Sequence, residues 1–148
     1  LSPRVWAAEA CEHDAADTAA TRRLLIHELV HVFHGQHNPI PDFTGLDSIG
    51  WFIEGLAVLA SGQLDSSRLV DAVRVVQEDR APAHLAQFWS GKERYALAGS
   101  MVSFVYRKYG RERIGQLLRA TSQTEILNLL GITEESLIAD WKKSAAGL

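Results

Sequence analysis

LLIHELVHVFHGQH, residues Leu24–His37, gathers four of the chain's six histidines around a single glutamate, Glu28. The stretch reads as a helix. Asp17 or Thr18 is placed to cap it, Ala19–His34 form its body, and Gly35 is the expected stop ahead of Pro39 and Pro41. Leu24, Leu25, Ile26, Leu29, Val30, Val32 and Phe33 make it apolar on nearly all sides, the pattern of a buried helix. Residues four apart on a helix lie about 40° apart around its axis, one turn along. His27 and His31 therefore project from one face and can aim ring nitrogens at a common ion. Buried polar groups are costly without partners, and a metal would supply one.

The spacing is H-E-x-x-H, which at this composition arises by chance in about one or two of a hundred chains of this length. Its surroundings must carry the reading. Neutral imidazole is a preferred ligand of Zn2+, and a catalytic site takes three protein ligands, leaving a fourth position for water. Glu28, next to His27, lies beside such an ion and is placed to take a proton from its water. The third ligand is expected on another element, and WFIEGLA (51–57) offers Glu54 among Trp51, Phe52, Ile53, Leu56 and Val58. A carboxylate in that setting is not a solvated surface charge. Its bland alternative is an ion pair with Arg22 or Arg23. Gly55 and Ala57 are expected to let the two helices approach closely.

The 148 residues fit one domain, with 47% hydrophobic and 22% charged residues. A net charge of −3 and scattered basic residues argue against nucleic-acid binding, and no apolar run is long enough to span a bilayer. Cys11 is the single cysteine, so no intramolecular disulfide forms. It and His13, in CEHD, lack zinc spacing and read as idle. Beginning at Leu1 rather than methionine, the chain reads as an excised fragment, a processed protein, or a chain whose upstream residues are absent.

The remainder reads as all-helical, with residues 1–17 undefined and little or no β-sheet. DSIGWFIEGLAVLASG (47–62) is a helix capped by Asp47 or Ser48 and ended by Gly62. A third helix follows Asp65, with Leu69, Val73 and Val76 on one apolar face. Ser90 and Glu93 have capping-box spacing before RYALAGSMVSFVYRKY, which closes at Gly110. Ala98 and Gly99 mark close packing of that helix. Ile114, Leu117 and Leu118 form a short fifth helix. Ser122 and Glu125 repeat the capping-box spacing, and Thr133 caps a last helix through Trp141.

HELVH followed 23 residues after His31 by Glu54 in WFIEGLA resembles the gluzincin metallopeptidases. YALAGSMVSFVYRKYG and LGITEESLIADW extend the resemblance to the bacterial peptidase MA-like domain family, over roughly Leu24 to Trp141. The resemblance implies a zincin-like helical domain that hydrolyses peptide or protein substrates. His27, His31 and Glu54 would hold zinc, and Glu28 would act as general base. It also implies a tyrosine beyond the third ligand that stabilises the oxyanion, for which Tyr95 is the first candidate and His84 the second. Tyr95 as an ordinary amphipathic core residue is an equal alternative. Where thermolysin-like members carry an aspartate that supports a histidine ligand, Val58 stands here. That support is expected from elsewhere, such as a backbone carbonyl.

Tyr106 and Tyr109 are expected in the core. His34 shares the face of His31 but suits a helix C-terminus without any metal, and His37 is expected to be exposed. The alternative to a peptidase is a catalytically silent, zinc-stabilised helical binding module. A hydrolase with a non-peptide substrate is a weaker third reading.

Overall fold

The first helix, α1 (Thr18–His37), begins where Asp17 accepts a hydrogen bond from the amide of Ala20 at 2.9 Å. The computed structural model of the protein describes residues 17–147. The sequence readings of residues 1–16, with Cys11 and His13, lie outside them. Gly35 does not stop α1, which continues to His37. Pro39 ends it by holding Asn38 extended (φ −93°, ψ 141°). Gly35 serves a different purpose, since a Cβ there would lie 2.5 Å from the carbonyl oxygen of Pro41. The returning loop crosses the helix at that point. Asn38 fixes the crossing. Its side-chain amide donates to the carbonyls of Leu118 (2.8 Å) and Ala120 (2.9 Å) and accepts from Ile40 (2.9 Å).

The second helix, α2 (Gly50–Ala60), is the most buried of the fold, with Trp51, Phe52, Ile53, Gly55, Ala57 and Val58 all inside. Asp47 and Ser48 do not cap it. They form a 3-10 turn, Asp47–Ile49, whose backbone leads straight into the helix. The close approach permitted by Gly55 is not to α1. A Cβ on Gly55 would sit 2.5 Å from the carbonyl oxygen of Ala98, and one on Gly99 would sit 2.8 Å from Val58 Cγ1. The glycines thus seat α2 on α4 (Arg94–Leu117), in keeping with the small residues Ala98 and Gly99.

α3 (Ser66–Gln77) is capped by Asp65, which accepts from Arg68 at 3.1 Å. Ala72 and Val75 are its fully buried residues, while Leu69, Val73 and Val76 lie half-buried on either side. A 3-10 segment, Leu85–Trp89, then drops Leu85 and Phe88 into the core. Ser90 and Glu93 do not form a capping box. The Ser90 hydroxyl donates to the Gln87 carbonyl instead, at 2.6 Å. Within α4 the helix breaks at Gly110 (φ 81°, ψ 171°), the expected position, so Ile114 and Leu117 belong to a short distal piece.

α5 (Gln123–Leu130) starts at Ser122, which accepts from Glu125, and ends at left-handed Gly131 (φ 65°). Glu125 reaches back one residue further than a capping box requires, to the Thr121 amide at 2.6 Å. Thr133 caps α6 (Glu134–Ala146), which runs past Trp141 because no breaker precedes Gly147. The Trp141 indole is buried and donates to the Ser100 hydroxyl at 3.1 Å, pinning α6 to α4. Tyr109 packs on the core, whereas Tyr106 is 46% exposed and does not.

The chain is thus mainly α-helical, with six α-helices and no strand among the described residues. None of these helices is long and apolar enough to cross a membrane. One expectation fails clearly. α1 is not buried on all sides, since Leu25, Leu29, Val32 and Phe33 are 52–64% exposed along its outer face. α1 lies at the edge of the bundle and packs by one face only. That face carries His27, His34 and Gly35.

Candidate metal centre

The buried face of α1 meets α2 at three side chains. His27 and His31 bring their Nε2 atoms to 3.1 Å of each other. Glu54 Oε2 stands 3.3 Å from His27 Nε2 and 3.4 Å from His31 Nε2. The helical spacing of α1 aligns the two imidazoles, and the burial of Trp51, Phe52 and Ile53 turns Glu54 toward them. Arg22 and Arg23 are not the partners of Glu54. These three residues form a group that could hold a metal ion, His27 and His31 from one helix and Glu54 from another.

Access is uneven. The His27 side chain is 7% exposed, that of His31 20% and that of Glu54 27%, so the group is sealed on the His27 side and open beyond the other two. Burial acts to raise the pKa of Glu54, but hydrogen bonds to His27 and His31 outweigh it and hold the carboxyl down at about 2. Burial likewise acts to lower the pKa of His27, and hydrogen bonds to Glu54 and Gln63 overcome it. The carboxylate is therefore ionised across the neutral range, as a ligand must be.

Glu28 projects from α1 beside His27 with its side chain exposed to water. It stands outside the three-residue group, close enough for its charge to act on His27. Tyr95, at the start of α4, packs edge-on against Trp89 at 5.1 Å. The guanidinium of Arg68 lies over its ring at 4.7 Å and that of Arg94 at 5.2 Å. His84 is exposed at the start of the Leu85–Trp89 segment and faces Glu134 at 3.6 Å, on the α6 side of the fold. His37 is exposed, its Nδ1 2.8 Å from the Phe33 carbonyl. His34 is fully buried against Phe43 (4.9 Å) and Phe52 (5.7 Å), a packing residue rather than a ligand.

Sequence reasoning missed one member of this neighbourhood. Gln63, buried in the turn after α2, places Oε1 2.7 Å from His27 Nδ1. A glutamine following Gly62 in a turn carries no motif, and the 36 residues separating it from His27 hide the contact. No known protein family, curated protein or solved structure matches the chain.

Proposed function

We propose that this chain is a zincin-like domain that binds Zn2+ through His27, His31 and Glu54 and hydrolyses peptide bonds. The observation carrying this reading is the ligand triangle, with sides of 3.1, 3.3 and 3.4 Å. Four ligands placed tetrahedrally at 2.0–2.1 Å from zinc lie about 3.3–3.4 Å apart, so the three atoms have nearly the outline of one tetrahedral face. The donor set, two imidazoles and a carboxylate, is of the type found in catalytic zinc sites. When bound, zinc would supply Lewis acidity, lowering the pKa of coordinated water to about 7 and polarising a carbonyl oxygen.

The chain's own residues would do the rest. Glu28, on the water side of α1, takes the proton of the attacking water and returns it to the departing amine. Glu54, ionised, offsets the charge of the metal. The exposed edges of His31 and Glu54 leave room for a peptide carbonyl to approach. Tyr95 is proposed as donor to the developing oxyanion, on the strength of the resemblance to the gluzincins and the bacterial peptidase MA-like domain family.

The second reading, a zinc-stabilised binding module, draws on the exposed stripe of Leu25, Leu29, Val32 and Phe33. An intact Glu28 favours the enzyme, because a purely structural site has no use for a base. Metal analysis of the purified protein tests the centre. One zinc per chain is expected in the wild type and none in His27→Ala or Glu54→Ala. A wild type free of bound metal after zinc loading contradicts it.

A further inference from the structure

We propose that Gln63 is the positioning residue of the centre, setting the tautomer of His27 and holding its Nε2 lone pair toward the metal position. This rests on the zinc reading above. An amide oxygen only accepts, so the 2.7 Å contact from Gln63 Oε1 requires the proton of neutral His27 on Nδ1. Nε2, which faces His31 and Glu54, is then the nitrogen left to coordinate; in the metal-free protein its proton bonds the Glu54 carboxylate and would be released on metal binding. In the opposite arrangement the amide NH2 would donate to Nδ1, and the proton on Nε2 would block coordination.

The backbone of the glutamine is held firmly. Its main-chain N–H donates to the Val58 carbonyl at 3.1 Å, and its main-chain carbonyl accepts from the Arg68 guanidinium. That guanidinium is stacked on the Tyr95 ring. With only 8% of Gln63 exposed, water does not compete for the His27 bond. A single stretch, α2 and its closing turn, thereby delivers both the third ligand and the group that orients the first. The two histidines are not equivalent. His31 Nδ1 is buried with no hydrogen-bond partner, so its ring lacks the counterpart of the Gln63 contact that sets His27.

The test compares wild type, Gln63→Met and Gln63→Glu. Methionine keeps the volume without the amide, and glutamate keeps an acceptor. Zn2+ affinity is measured by chelator competition, and the His27 tautomer by long-range 1H–15N correlation. The expected result is Nδ1–H in the wild type, zinc affinity about 10–100-fold weaker in Gln63→Met, and rescue to within a few-fold by Gln63→Glu. Equal affinity in Gln63→Met, or Gln63→Glu as weak as Gln63→Met, overturns the assignment. A wild type that binds no zinc contradicts the metal centre instead. The Nδ1–H of metal-free His27, protected from exchange with water in wild type and unprotected in Gln63→Met, then still decides the role of Gln63.

Discussion

His27 Nε2 and Glu54 Oε2 stand 3.3 Å apart across the contact between α1 and α2. A metal held across these two helices would make its binding part of the folding energy. Zinc at 100 times its Kd is expected to stabilise the protein by about 2.7 kcal/mol, and chelation to remove that gain. Thermal melts with zinc and with EDTA read this directly. In Glu54→Ala the zinc-dependent shift in Tm should vanish. A shift equal to that of the wild type would take Glu54 out of the ligand set.

His34 gives the fold a sensitivity to acid. Burial pushes its pKa down to about 4 from 6.5, and the Leu118 carbonyl nearby, already engaged by Asn38, offsets only part of this. Neither ring nitrogen has a hydrogen-bond partner. A histidine with a depressed folded-state pKa takes up its proton more readily when unfolded. Stability is therefore full above pH 6.5 and falls as the pH drops from 6.5 toward 4. The loss is about 2 kcal/mol by pH 5, at 1.36 kcal/mol per unit. Denaturant midpoints at pH 7.5 and pH 5 measure it, and His34→Phe, among Phe43 and Phe52, should flatten the difference. An unchanged pH dependence in that variant would assign the effect to other groups.

Gly55 and Gly99 make a matched pair of substitutions. Alanine at 55 meets backbone, the Ala98 carbonyl at 2.5 Å, which cannot step aside. Alanine at 99 meets the side chains of Val58 and Leu64 at 2.8 and 3.1 Å, which can turn away. Gly55→Ala is expected to cost about 2–3 kcal/mol and Gly99→Ala about 1 kcal/mol. Because Gly55 adjoins Glu54, Gly55→Ala should also weaken zinc binding. Urea unfolding and zinc titration of the two variants provide the comparison, and equal costs would contradict the packing described.

Tyr95→Phe separates an oxyanion donor from a packing ring. As a donor, Tyr95 contributes to kcat, and its loss should lower kcat about 100-fold with KM and zinc affinity little changed. The stack with Trp89 and Arg68 needs only the ring, which phenylalanine keeps. Unchanged kcat would leave Tyr95 the role of supporting Arg68 alone.

The sequence made the helices and the group of His27, His31 and Glu54 legible, the helices and the histidine pair through short-range spacing and Glu54 through its apolar surroundings. His27 and His31 are four residues apart, and Glu54 stood out as a charge within an apolar run. The end of α1 was misread because Gly35 has a second use, the crossing of Pro41, that only the folded loop reveals. The apolar residues of α1 suggested burial on all sides. Composition alone cannot show that Leu25 and Leu29 lack a neighbour. Gln63 was invisible for a similar reason. Its meaning lies in a contact to His27, and its own segment reads as a plain turn.

The most direct measurement is cleavage of a mixed peptide library by zinc-loaded wild type and Glu28→Gln, with zinc content determined for both. The account predicts about one zinc per chain in each protein and cleavage by the wild type alone. Cleavage surviving in Glu28→Gln, or zinc-loaded wild type that cleaves nothing, would contradict it.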